Sequence, residues 1–238
     1  MSETAVTEKK KSRIGKVFRI LGLGVIALAL LATAGHFAWK ASGSDKWEQV
    51  IDKEGIRIFV RKLPGTTLRD IRAVTRLNSR LMPAVAALAA EHSNEDCSTW
   101  IEGCLGQKTV VPYNRRDLTV TELVTVEYPR PFSPREFLVA MKVTQDRATK
   151  AVTVDYKAKP DLLPPNDCCH RVQDMHNVWV FTPAKEGGLD VQYTMHLNQG
   201  IPYFMFNRVA PQIVYDVVRA LPEHHAKYQN AKVENIIE

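Results

Sequence analysis

The sequence predicts an α+β fold: one strongly curved antiparallel sheet closed by a single long carboxy-terminal helix, preceded by an amino-terminal transmembrane helix or signal peptide. Three observations predict it. From about residue 106 to residue 199, apolar residues recur at every second position through six successive runs, the period of half-buried strands. After Gly200-Ile201-Pro202 the period changes. Phe206, Ala210, Ile213, Val217 and Leu221 then recur every three or four residues, the stripe of one buried helix face. Near the amino terminus, residues 20–39 form twenty consecutive positions without a formal charge. As a helix they span roughly 30 Å, the thickness of a bilayer's hydrocarbon core.

The 238 residues are 45% hydrophobic and 24% charged, a globular balance that excludes wholesale disorder. The net charge of +6 is unevenly placed. Residues 1–44 hold seven basic residues (Lys9, Lys10, Lys11, Arg13, Lys16, Arg19, Lys40) against Glu3 and Glu8, whereas the other 194 residues hold 25 basic and 24 acidic groups. The excess sits beside one apolar segment, and the remainder has no basic field for a phosphate backbone, which argues against nucleic acid as a partner.

Residues 1–19 carry most of this charge and, by the positive-inside rule, stay in the cytoplasm, so a span over 20–39 sends the rest of the chain across the membrane. Trp39 and Lys40 suit the far interface. A second reading uses the same letters: residues 20–31 as a signal-peptide h-region, with Ala32-Thr33-Ala34 as its small-x-small cleavage site. The long charged n-region and the apolar character persisting through Phe37 favour the uncleaved anchor. Both readings predict a domain on the exported, periplasmic or extracytoplasmic, side.

Residues 40–46 read as a linker and 47–54 as a brief helix ended near Gly55. Ile56, Ile58 and Val60 alternate with Arg57 and Arg61 as a half-buried strand; Pro64-Gly65 turns the chain; Ile71, Ala73, Thr75 and Leu77 share one face of the next strand. Asn78 or Ser79 caps a helix from Leu81 to about His92, with Pro83 tolerated in its first turn. A second helical piece covers 94–104. Strands are expected at about 106–114, 117–128, 136–147, 151–159, 170–182 and 188–199. The closing helix is expected to kink at Pro211 and stop at Pro222, which gives a domain of residues 47–222 and a polar tail of 223–238.

Cys97 and Cys104 flank the second helical piece, where they form a disulfide or remain two buried thiols. The adjacent Cys168 and Cys169 read as thiols or as partners for the other two. There is no CxxC and no suitably spaced His, so no zinc site is predicted. His224-His225 read as solvated helix surface. No nucleophile elbow, His-Glu-x-x-His motif or glycine-rich phosphate loop signals catalysis.

The order of elements and several local motifs resemble the START domain, a lipid-transfer module, over residues 47–221. The motifs are Trp47…Glu54-Gly55-Ile56-Arg57-Ile58-Phe59-Val60-Arg61, Trp100-Ile101-Glu102-Gly103-Cys104, and Tyr128-Pro129-Arg130-Pro131-Phe132-Ser133-Pro134-Arg135-Glu136-Phe137. His170-Arg171…Trp179-Val180-Phe181-Thr182-Pro183 and Gly200-Ile201-Pro202…Phe206-Asn207 complete the set. The resemblance implies a helix-grip fold with a lipid-sized tunnel under the last helix. The chain departs from the family at Arg130, at Glu136 in place of the common Asp, and at Asn198-Gln199-Gly200 in place of Asp-Pro-Gly-Gly.

Glu122 is the most informative residue. In the run 118–126 the even positions are apolar, so alternation places Glu122 amid an inward face. It is then a polar anchor for a ligand hydroxyl or headgroup, a structural carboxylate bonded to a buried Tyr, His or Arg, or a residue turned outward by a bulge. The resemblance implies an acid–arginine pair in some sterol-binding members, but Met141 occupies the arginine's position. Tyr156, Tyr193, His176 and His196 are candidate replacements. Arg135 is expected to fix its loop through carbonyls, and Trp179 to be structural. The apolar lining is read as Val120, Val124, Phe137, Val139, Met141, Val152, Val154, Tyr156, Tyr193 and Met195 from the sheet, faced by Phe206, Ala210, Ile213 and Val217. The expected function is non-enzymatic binding or transfer of a lipid, with the membrane as partner and without a cofactor. The alternative is a helix-grip enzyme, cyclase- or hydrolase-like, with Glu122 as its acid–base.

Overall fold

The amino-terminal apolar run and the alternating runs after it separate into two compact units, residues 1–44 with 63–67 and residues 45–62 with 68–238. The computed structural model describes residues 3–89 and 97–238. In the first unit, α1 (Glu3–Ala41) is one unbroken helix. Its segment Gly15–Ala41 is long and apolar enough to cross a membrane, and its side chains, among them Leu21, Ile26 and Leu30, are exposed. A helix that is apolar all round has no face suited to water. At its end the Trp39 indole donates to the Thr67 carbonyl at 2.9 Å, and the Gly65 amide donates to the Lys40 carbonyl at 2.8 Å.

The second unit holds a ten-stranded sheet. Its strands are β1 (Ser44–Lys53), β2 (Ile56–Lys62), β3 (Asp70–Leu77), β4 (Cys104–Asn114), β5 (Thr119–Val126), β6 (Arg135–Gln145), β7 (Val152–Ala158), β8 (His170–Arg171), β9 (Asp174–Pro183) and β10 (Leu189–Asn198). They run in the order β1-β2-β3-β10-β9-β7-β6-β5-β4, and β8 adds to β6 in parallel. β3 thus joins β10, so the third and the last strands of the domain meet in mid-sheet.

The expected helix over 47–54 is strand β1. Glu54 and Gly55 take φ of 55° and 75°, the left-handed pair that suits a two-residue hairpin turn. Trp47, Val50 and Ile51 imitate helical spacing because β1 is a largely exposed edge strand with no alternation to display. Trp47 packs instead between two guanidinium groups, those of Arg61 at 4.6 Å and Arg72 at 4.0 Å from its ring centre.

Helix α2 (Leu81–Ala89) packs on β7 and β9. Its expected continuation to His92, and the expected start of the next helix at Asn94, lie outside the described residues. A single turn, α3 (Cys97–Trp100), then precedes Cys104, which opens β4. The expected strand over 170–182 is two strands, because the chain pairs first with β6 and then crosses to β7.

Helix α4 (Tyr203–Lys227) contains both Pro211 and Pro222 and does not stop at the second. Each proline removes one helical hydrogen bond, a loss offset by apolar packing on either side of it. The packed stripe is Phe206, Ala210, Val214, Val218, Leu221 and His225. Ile213 and Val217, expected in that stripe, are 49% and 43% exposed and lie on its flank. The sequence offers adjacent apolar pairs, Ile213-Val214 and Val217-Val218, and a spacing of four from Ala210 selects the second of each. His225, expected to be solvated, is buried against the Phe181 ring. The residues after α4 are not a free polar tail: Ile236 joins the core, Arg115 pairs with Glu234 at 3.2 Å, and Gln145 bonds both backbone groups of Ile237.

Candidate functional site

Cross-strand registers set which side chains share the inner face, the one on which α2 and α4 lie. Val120 stands opposite Met141, Met141 opposite Tyr156, Tyr156 opposite Asn177, Asn177 opposite Met195, and Met195 opposite Ile71. A parallel row runs from Thr109 through Glu122 and Val139 to Ala158. Coverage along these rows is unequal. Helix α4 packs against β2, β3 and α2. Beneath it and α2, Val152, Val154, Tyr193 and Met195 are buried. Towards β5 and β6 the inner face is open: Glu122, Val124, Phe137, Val139 and Tyr156 are only partly covered although all lie in interior strands.

Glu122 accepts a 2.8 Å hydrogen bond from the Gln107 amide of β4. Burial raises its carboxyl above the usual carboxylate range, and the Gln107 bond opposes this only in part. Gln107 is the partner that the sequence hid. β4 carries register shifts between Cys104 and Gly106, Thr109 and Val111, and Val111 and Asn114, so simple alternation cannot assign its faces. The four candidates considered for this role are placed otherwise. Tyr156 donates to the Leu88 carbonyl at 2.8 Å, and Tyr193 stacks on Trp179 with ring centres 4.0 Å apart. His176 pairs with Asp155 at 2.9 Å, and His196 sits between Asp70 at 2.7 Å and Asp174 at 3.0 Å, on the opposite face.

Arg135 is buried where the inner face ends. It donates to the carbonyls of Gln199 (2.7 Å), Ser133 and Gly200 (3.4 Å), beneath the rings of Tyr128 and Phe132. Burial pushes the neighbouring Tyr128 phenol up to about 12. Gly200, at φ 68°, makes this carbonyl cradle: a Cβ there would collide with the His170 ring. Behind the sheet, Glu136 and Arg171 form an ion pair at 2.8 Å with both side chains almost fully buried. Arg171 also donates to the carbonyls of Pro160, Leu163 and Pro164 and so holds that loop on β6.

Cys97 and Cys104 are bonded, with Cα atoms 5.9 Å apart, and Cys168 is bonded to Cys169 rather than to either of the others. Glu136, Cys168 and Cys169 bring ligand-type atoms within 4.8 Å of one another, but Arg171 and the disulfide already engage them.

No protein-family model matches the sequence, and none of the curated proteins matches it. The structure is similar to a STAR-related lipid transfer protein fragment from Xanthomonas axonopodis, at 24% identity over 76% of this chain and 99% of that one, with a TM-score of 0.67. It is also similar to human STARD10, at 13% identity over 81% of this chain and 78% of that one (TM-score 0.64). A third likeness is to human StAR-related lipid transfer protein 5, at 13% identity over 86% and 98% (TM-score 0.60). The fold is that of a START domain. The helix-grip arrangement of long sheet and closing helix expected from the motifs is therefore present, with an apolar helix ahead of it.

Within the START fold, the residues read as lining fall into three groups. Val120, Met141, Val152, Val154, Tyr193, Met195, Phe206 and Ala210 are packed into the core. Val124, Phe137, Val139 and Tyr156 are partly covered, around Glu122. Ile213 and Val217 stand exposed on the flank of α4. Met141 is buried, and the acid of β5 faces the Gln107 amide.

Proposed function

We propose that this protein binds a lipid between α4 and the β5–β6 part of its sheet, and that it does so without catalysis. The observation that carries the reading is the incomplete cover over Val124, Phe137 and Val139. Interior strands of a sheet are normally sealed on their core face. Here α4 is engaged with β2, β3 and α2 and leaves an apolar floor beside it. At about 25 cal/mol per Å² of apolar surface removed from water, occupation by an acyl or isoprenoid chain is favourable by several kcal/mol and needs no cofactor. The proteins of like fold include two called lipid transfer proteins, which supports the same reading.

Glu122 is the polar contact on this floor. Partly buried beside Gln107, with its pKa raised by that burial, it offers a ligand a carboxyl group in an otherwise apolar setting. The flank of α4 bearing Ile213 and Val217 completes the lining. α1 is an uncleaved anchor, its basic end is cytoplasmic, and the lipid-binding domain lies on the exported side, which restricts transfer to adjacent membranes. Delipidated protein incubated with a total lipid extract, then studied by native mass spectrometry, is expected to retain one lipid per chain. Failure to retain any lipid from several extracts overturns the proposal. Glu122→Gln is expected to keep that lipid; a variant that binds a substrate but no longer turns it over would establish the enzyme reading instead.

A further inference from the structure

Asn177 is a buried polar residue in the inner row, between Tyr156 of β7 and Met195 of β10. Its Oδ1 has no hydrogen-bond partner among the described residues. Buried amide oxygens are almost always satisfied, and leaving one bare in apolar surroundings is unfavourable. Its surroundings are apolar and aromatic: Trp179 and Met195 are buried, Tyr156 is partly covered, and the Tyr156 hydroxyl is already committed to Leu88. Glu122 lies three strands away and is paired with Gln107, so it does not serve Asn177.

The charges point the same way. On β5, β6, β7, β9 and β10 the inner-facing positions carry no lysine, and Arg135 is their sole arginine. Its guanidinium is held by three carbonyls and is not presented to a ligand. A phosphate brought onto these five strands would meet no available cation among their inner-facing side chains and would bear the cost of its dehydration unaided there.

We infer that the ligand is an uncharged lipid alcohol whose hydroxyl donates a hydrogen bond to Asn177 Oδ1, and that phospholipids are discriminated against. This rests on the lipid-binding reading and specifies its ligand class. The test uses the full chain in detergent micelles and native mass spectrometry, with four probes of equal acyl chains: dioleoylglycerol, its 3-acetate, dioleoyl phosphatidic acid and dioleoyl phosphatidylcholine. The wild type is expected to retain dioleoylglycerol roughly tenfold better than the acetate, which lacks the donor, and better than either phospholipid. Asn177→Leu, and Asn177→Ser as the smaller change, are expected to bring alcohol and acetate within about twofold of each other while the acetate still binds. Equal retention of alcohol and acetate by the wild type needs no variant to fold, and it overturns the inference by showing that an ordered water satisfies Asn177. Preference for either phospholipid overturns it while leaving lipid binding intact. Failure to retain dioleoylglycerol overturns the inference, and failure to retain any of the four or any lipid from an extract overturns both readings.

Discussion

At the scale of single residues, the sequence placed Glu122 on the inner face because Val120, Val124 and Val126 share its parity in β5, and the register sets it opposite Val139. It could not name Gln107, whose strand is bulged. The pairing predicts a pH effect of definite sign. A folded pKa raised above 4.5 means that stability is fully present below about pH 4.5 and falls as pH rises through the raised value. Glu122→Gln, which keeps a side chain able to bond Gln107, is expected to be no less stable than wild type at pH 7 and to lose that fall; thermal melts across pH 4–8 check it. Glu136 and Arg171 give a second residue-level prediction. Glu136→Ala leaves a guanidinium buried without its carboxylate and is expected to cost about 3–5 kcal/mol in denaturant unfolding, whereas the double change Glu136→Leu with Arg171→Met costs much less. Equal losses in both would show that the loop carbonyls, not the ion pair, dominate Arg171.

At the scale of elements, strands with one covered face were legible and edges were not. β2, β3 and β10 alternate because one side meets the core, while β1 is a largely exposed edge strand and displayed a helical spacing by coincidence. In α4 the helix was readable but its rotation was not, since neighbouring apolar pairs allow spacings of three or four. Two histidines report on how these elements are held. The hydrogen bond that the His196 ring donates to the Asp70 carboxylate, joined by the one to Asp174, raises His196 to about 9 across β3, β10 and β9. Its stabilisation is complete below pH 6.5 and is lost as pH rises to about 9, so His196→Gln is expected to flatten the alkaline limb of the melting profile. Burial lowers His225, at the base of α4, to about 4. Here stability is complete above pH 6.5 and is lost as pH falls towards 4, and His225→Leu is expected to flatten the acid limb. If either variant leaves its limb unchanged, that histidine does not hold its element in the way described.

At the scale of the whole molecule, the charge asymmetry and the uncharged run were enough to mark α1, and the change of period after residue 200 was enough to mark the closing helix. What the sequence could not show is how far α4 covers the sheet, because coverage depends on which strands a helix contacts and not on its own apolar pattern. An intact-mass measurement on membrane-extracted protein is expected to give the uncleaved chain, and a carboxy-terminal alkaline phosphatase fusion is expected to be active only as an exported protein; a chain shortened near Gly35 would make α1 a signal peptide. Lipid is expected on the uncovered floor beside α4. A lipid with a photoactivatable diazirine in its acyl chain, loaded into the full-length protein and mapped by peptide mass spectrometry, tests it most directly. Labels on β5 and β6 peptides containing Val124, Phe137 and Val139, together with the α4 peptide containing Ile213 and Val217, are the predicted result; labels confined to α1 or to the outer strand positions would contradict it.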